Sequence, residues 1–169
     1  ETINKDVLSK INMVNHKSVL VTGGAGYVGS VLVKKLVDEE FSVTVIDSLI
    51  FGKDGISELI DKNQIKFFNF DLRETTKIDN ILENIDCVIH LAAIVGEPLC
   101  KKIPDAALQI NEFVTKNLAL LCKKNHVNRF IFASTCSNYG KMTDSNSYVD
   151  ELSELNPVSL YAELKVKFE

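Results

Sequence analysis

Three glycines set three apart, Gly23, Gly26 and Gly29, follow directly on the apolar run Ser18-Val-Leu-Val-Thr22 and lead into a segment of helical periodicity. A short β-branched run ending in glycines reads as a buried strand. From Tyr27 to Glu39 the side chains Val28, Val31, Leu32, Leu36 and Val37 recur at helical spacing, so the glycines sit at a strand-to-helix turn. The pattern G-x-x-G-x-x-G is one residue wider than the familiar G-x-G-x-x-G, but the physics carries over. Gly23 permits a tight turn, Gly26 lets a pyrophosphate approach backbone at the helix N-terminus, and Gly29 lets helix and strand pack closely.

The rest of the chain keeps the alternation. Ser42-Val-Thr-Val-Ile-Asp47 reads as a second strand and Ile56 to Lys62 as a short helix. Ile65 to Phe70 reads as a third strand, followed by a helical face of Ile78, Ile81, Leu82 and Ile85. Cys87-Val-Ile-His-Leu91 is the fourth strand. One long helix is expected through Ala106, Ile110, Phe113, Val114, Leu118 and Leu121, and Arg129-Phe-Ile-Phe-Ala133 is the fifth strand. Lys141 to Ser159 is polar and turn-rich, with Pro157 just ahead of a helix starting near Ser159. Continuously apolar strands alternating with helices mark a parallel sheet covered on both faces. Right-handed crossovers then give a doubly wound, Rossmann-type α/β domain.

A chain of 169 residues suits one such domain, assigned to residues 16–169 and preceded by a polar extension over residues 1–15. The absence of an initiator Met and the stop at Glu169 within a helical pattern are read as a piece of a longer protein. With a net charge of −4 and no Lys/Arg block, no nucleic-acid partner is expected. No apolar run approaches the roughly 20 residues that span a bilayer, and Glu1 to Asn15 lacks a signal-peptide layout. A cytoplasmic protein without membrane association is the expectation. Neither Cys87, Cys100, Cys122 and Cys136 nor His16, His90 and His126 cluster, so no metal site is expected. Cys87, Cys100 and Cys122 read as ordinary buried or half-buried thiols.

Asp47 ends the second strand roughly 20 residues after the glycine turn, where a carboxylate accepts hydrogen bonds from a ribose diol and repels a 2′-phosphate. No Arg follows closely, so NAD is favoured over NADP; a helix cap or turn role is the plain alternative. Asp71-Leu72 closes the third strand, where an aspartate can receive an adenine amino group or cap the helix near Glu74. Tyr161-Ala-Glu-Leu-Lys165 puts a phenol and an ammonium on one helix face. A nearby cation stabilises phenolate, so Tyr161 is expected to titrate below its usual value of about 10 and serve as a base. That helix follows the fifth strand, whose end, Ser134-Thr-Cys-Ser-Asn-Tyr-Gly140, carries hydroxyls into the ligand crevice of such sheets.

Together these residues resemble the extended short-chain dehydrogenase/reductases, the NAD-dependent sugar-nucleotide epimerase/dehydratase family of UDP-glucose 4-epimerase-like proteins. The likeness runs from about Lys17 to the end. It is carried by T-G-G-A-G-Y-V-G (22–29), the acidic end of the second strand, D-L (71–72) and H-L-A-A (90–93), then by N-x-x-x-T (111–115), S-T-C-S-N-Y-G (134–140) and N-P-x-S-x-Y-x-x-x-K (156–165).

The resemblance implies Tyr161 as catalytic base and acid, Lys165 on the nicotinamide ribose, and Thr135 on the reacting sugar hydroxyl. It implies cofactor contacts at Gly23, Gly26, Tyr27, Val28, Asp47, Asp71 and Leu72. Further contacts fall at Leu91, Ala92 and Ala93, and at Asn111, a structural or active-site position. His90 reads instead as a strand-end residue inside the core. The 4,6-dehydratases of the family follow the active-site Thr with Asp-Glu; Cys136 and Ser137 stand there, which argues against dehydration. Val95 stands where some hexose epimerases have a Lys. Cys136 reads as a small packing residue, with substrate contact as the alternative. The expected activity is NAD-dependent epimerisation of a nucleotide sugar through a transient keto-sugar. Net oxidation or reduction of a nucleotide sugar or other alcohol, and non-catalytic dinucleotide binding, stay open. The resemblance also implies a C-terminal sugar-binding region and a homodimer built on helices near 103–123 and 159–169.

Overall fold

A computed structural model of the chain describes residues 18–141 and 148–169. The polar extension at 1–15 and part of the turn-rich segment, 142–147, lie outside the described residues. In chain order the elements are β1 (Ser18–Thr22), α1 (Tyr27–Asp38), β2 (Ser42–Asp47), α2 (Ser57–Asp61), β3 (Lys66–Asn69), α3 (Thr75–Ile81) and β4 (Cys87–His90). There follow α4 (Glu97–Lys102), α5 (Pro104–Leu108), α6 (Thr115–Lys124), β5 (Arg129–Phe132) and α7 (Leu160–Val166). The five strands pair in parallel in the order β3-β2-β1-β4-β5, the doubly wound topology expected from the alternation.

Register explains where a ligand can sit. Thr22 lies level with Ile46 and His90, and His90 with Phe132, so all these strands end along one edge of the sheet. The order reverses between β1 and β4, the place where open α/β sheets form a crevice beyond the carboxyl ends of their strands. The glycine turn, Asp47, the stretch after His90 and the stretch after Phe132 therefore converge there.

Both faces of the central strands are covered. Val19 and Val21 pack with Leu32, Val33 and Leu36 of α1, whereas Leu20 faces the other way, towards Ile78 of α3 and Val114 and Leu118. Alternation of side chains across a strand makes both sets apolar, which is why the central strands read as unbroken hydrophobic runs. At the edge, β3 is largely exposed and β5 half-buried. Among the described residues no helix is long and apolar enough to cross a membrane.

The helix expected through Ala106 to Leu121 differs from the reading. It consists of α5, a π-helical stretch Gln109–Val114 and α6, and α4 precedes it. A spacing rule of 3.6 residues per turn cannot register the wider turn of a π segment. The start of α4 was legible in principle, because Pro98 and Pro104 each stand in the first turn of a helix, as proline favours.

Candidate cofactor cleft and active site

The glycine turn is built as tightly as backbone allows. Gly23 has φ +72°, and a Cβ there would lie 2.7 Å from the Ala92 nitrogen. At Gly29 a Cβ would fall 2.2 Å from the Gly23 carbonyl oxygen, so neither position admits a side chain without backbone movement. The Gly23 N–H donates to the Ile46 carbonyl at 2.9 Å, tying the turn to β2. Gly26 precedes α1 without any side-chain cap, which leaves the first-turn N–H groups for another acceptor.

Above this turn lies a cleft of about 570 Å³, within the range of small-molecule and cofactor sites. It gathers most of the expected contacts: Gly23, Gly26, Tyr27 and Val28 from the turn, then Asp47, Asp71 and Leu72 from the ends of β2 and β3. Leu91, Ala92 and Ala93 line it beyond β4. Ile50 and Phe51, exposed on the loop after β2, line it as well and were not singled out from the sequence. Two apolar residues in a loop carry no period by which to notice them.

The carboxylates differ in their commitments. Asp47 accepts from the Ala25 N–H through Oδ2 at 2.9 Å and from the Leu49 N–H through Oδ1 at 2.8 Å. Each oxygen keeps a further lone pair for a diol. Asp71 is held by Arg73, whose Nε donates to Oδ1 at 3.0 Å and Nη2 to Oδ2 at 2.7 Å; the Arg73 backbone N–H donates to Oδ1 at 2.9 Å. This pairing keeps the Asp71 carboxyl below its usual range. The alternative of Asp71 as helix cap is not realised, because the residue before α3 is Glu74 and it makes no side-chain cap bond. Arg73 went unnoticed in the sequence because nothing in a D-L-R run signals a guanidinium folding back.

Asn111 is buried behind the cleft lining, next to Ile94 and Ile110. Its amide brackets one residue, accepting from the Ile94 N–H at 2.8 Å and donating to the Ile94 carbonyl at 2.9 Å. Of the two roles expected for Asn111, these bonds supply the structural one. Asn111 lies in the π segment and is buried there.

At the far end of the crevice, Ser159 caps α7 by accepting from the Ala162 N–H at 3.2 Å. Tyr161 and Lys165 then fall on one face. Lys165 is buried; its Nζ donates to the Ala133 carbonyl at 2.7 Å and lies 4.5 Å from the Phe132 ring centroid and 5.9 Å from that of Tyr161. The Thr135 side chain is near enough to the phenol to favour its ionised form. Tyr161 packs against the cluster of Ile94, Cys100, Ala107 and Leu164, of which Ile94 also lines the cleft; Tyr161, Thr135 and Lys165 are not themselves among the lining residues.

The expectation of a lowered phenol pKa is not met. Half-burial raises it, the Cys100 and Cys136 thiols act in the same sense, and only the Thr135 side chain opposes them. The ammonium, bound to a carbonyl, exerts no comparable pull. Burial also lowers Lys165, to about 8. Cys136 is exposed rather than packed, which corrects the packing reading, whereas Cys87, Cys100 and Cys122 are buried thiols.

His90 occupies the core, as read. Its Nδ1 is 2.7 Å from Thr22 Oγ1 and its Nε2 3.0 Å from Thr115 Oγ1, and burial pushes its pKa down to about 3. The neutral ring thereby joins the residue before the glycine turn to α6.

Comparison with known proteins agrees with this geometry. The sequence profile of the NAD dependent epimerase/dehydratase family matches residues 19–169. A UDP-glucose 4-epimerase of Lactobacillus helveticus is 36% identical over 155 residues, covering 89% of this chain and 44% of that protein. The solved UDP-Glc/GlcNAc 4-epimerase of Campylobacter jejuni superposes with a TM-score of 0.82 at 31% identity, over 89% of this chain and 46% of its own. The UDP-glucose 4-epimerase of Thermus thermophilus, solved in complex with NAD, gives a TM-score of 0.80 at 31% identity, over 89% and 48%. The chain thus spans less than half the length of each of these relatives. By its profile and by its likeness to these proteins, the chain belongs to the NAD dependent epimerase/dehydratase family.

Proposed function

We propose that this chain forms the cofactor-binding half of an NAD-dependent nucleotide-sugar epimerase, with Tyr161 as proton acceptor and donor, Thr135 orienting the reacting hydroxyl and Lys165 holding the nicotinamide ribose. The observation that supports the reading is the grouping of Tyr161, Lys165 and Thr135, the ammonium 5.9 Å from the phenol ring centroid and Thr135 acting on the phenol, packed against Ile94, which lines the cleft above the glycine turn.

The residues present fit NAD. The turn is a cradle that any Cβ at Gly23 or Gly29 would fill, so a pyrophosphate can rest against backbone. Asp47 would take the adenosine ribose; Leu72 and the backbone from Leu91 to Ala93 would line the remaining length. Bound NAD supplies reversible uptake of a hydride from the carbon to be inverted and its return to the opposite face of a transient keto-sugar.

The protein's own part is proton transfer and positioning. Tyr161 Oη takes the proton of the sugar hydroxyl and later returns it. Thr135 donates to the phenol oxygen and stabilises it as it becomes phenolate. Lys165, held on the Ala133 carbonyl, serves the nicotinamide ribose rather than the phenol. Cys136 and Ser137 place no carboxyl pair after Thr135, so elimination of water has no acid and base to drive it.

The test uses the full-length protein with a panel of UDP-sugars, products being identified by NMR. Inversion of one ring carbon without accumulation of reduced cofactor is expected, and Tyr161→Phe should slow it by about a hundredfold or more. Accumulating NADH would establish net oxidation instead. Undiminished turnover by Tyr161→Phe would overturn the reading.

A further inference from the structure

We infer that Phe132 is a positioning residue for the Lys165 ammonium, holding it over an aromatic face that His90, pinned between two threonines, keeps in place. The inference deepens the proposed reaction and rests on it only for the purpose the ammonium serves.

Lys165 is almost wholly buried, and the carboxylates of the elements around it are engaged elsewhere. Glu97 of α4 pairs with Lys101, Glu112 of the π segment with Lys167, and Glu169 closes on Ser134 and Asn138. What holds the ammonium is the Ala133 carbonyl at 2.7 Å and the Phe132 ring, 4.5 Å from Nζ. A ring face is a source of negative potential that costs no charge, and desolvation strengthens it. A carboxylate there would neutralise the ammonium; a carbonyl and a ring leave its charge and remaining N–H donors available to a ribose.

The ring is itself fixed. Phe132 stacks on the His90 imidazole at 6.2 Å between centroids and 27° between planes, and meets Phe168 edge-on at 6.0 Å. His90 is held at both nitrogens by Thr22 and Thr115, and its carbonyl accepts from the Ala133 N–H at 3.3 Å. Ala133 is thus held by the His90 main chain and the ring beneath the ammonium by the His90 imidazole, so one residue anchors both. The titratable groups facing Lys165 are His90 from β4 and Tyr161 from its own helix; Cys100 and Cys136 act on Tyr161 in turn.

The experiment reads the ammonium directly, without turnover. Lysine labelled with ¹³C at Cε is followed by NMR against pH, with Lys165→Arg identifying the signal. Phe132→Leu should lower the Lys165 midpoint by about one pH unit, the size of a desolvated cation–π contact. Phe132→Tyr, which keeps the ring, should restore it. Because the leucine variant could fail to fold, a series of progressively fluorinated phenylalanines at position 132 keeps the shape and drains the ring face. The midpoint should then fall stepwise. An unchanged midpoint across the fluorinated series overturns the inference. A midpoint that falls while the full-length wild type inverts no sugar upholds the inference and rejects the proposed reaction instead.

Discussion

Mild acid should destabilise this fold through one buried imidazole, well above the pH at which carboxylates titrate. His90 is fully buried between Thr22 and Thr115, and burial, with the Lys165 charge adding to it, takes its pKa from 6.5 to about 3. In the unfolded chain the ring accepts a proton below about pH 6.5. In the folded chain it does not until about pH 3. The unfolded state therefore binds more protons throughout that window. Stability from the neutral ring is complete above pH 6.5 and is lost steadily as pH falls towards 3. Each pH unit is worth about 1.4 kcal/mol, so moving from neutral to about pH 5 should remove ~2 kcal/mol. That is a large part of the ~5–15 kcal/mol that typically separates folded from unfolded. Urea unfolding by circular dichroism between neutrality and about pH 5 measures it, in the wild type and in His90→Asn. The variant should start lower by about 1–3 kcal/mol, because Thr115 loses its partner, but its stability should be nearly flat over the window. An equal fall in both proteins, or a His90 resonance titrating near 6.5 in the folded state, would refute the reasoning.

Three further outcomes follow from the geometry. Gly29→Ala places a Cβ 2.2 Å from the Gly23 carbonyl oxygen, so it should cost ~2 kcal/mol or more in urea unfolding and abolish NAD binding by calorimetry. Asp47→Ala removes the acceptor for the Ala25 and Leu49 N–H groups as well as for a ribose diol; NAD affinity should fall about tenfold or more, with a loss of ~1 kcal/mol in stability. Asn111→Leu leaves the Ile94 N–H and carbonyl without their buried partner, which should cost ~2–4 kcal/mol by the same unfolding assay. If Asn111 touched the cofactor instead, that variant would lose NAD affinity at unchanged stability.

How far the chain could be read depended on where each signal is local. The glycine turn was legible because helix start, strand end and backbone crowding all act within a few residues of Gly23. The central strands β1, β2 and β4 were legible because burial on both faces makes them nearly unbroken apolar runs, and the edge strands β3 and β5 because of their Phe-rich runs. Positions decided by distant contacts were not. The π segment that holds Asn111 has a turn width that spacing does not encode. The Arg73 guanidinium on Asp71 and the Phe132 ring beneath Lys165 depend on rotamers and on neighbours from other elements. The Tyr161 shift failed as an expectation for the same reason. Spacing puts an ammonium within reach of a phenol, but burial of both groups and the carbonyl that claims the ammonium are properties of the packed molecule.

The central claim is that the phenol, the threonine and the ammonium serve an inversion in which hydrogen leaves one carbon and returns to it. The most direct measurement follows a UDP-sugar deuterated at the inverted carbon through turnover by the full-length protein. The account predicts an epimer that retains deuterium at that carbon and takes up none from solvent. Loss of the label to water, signalling removal of the carbon-bound hydrogen as a proton, would contradict it.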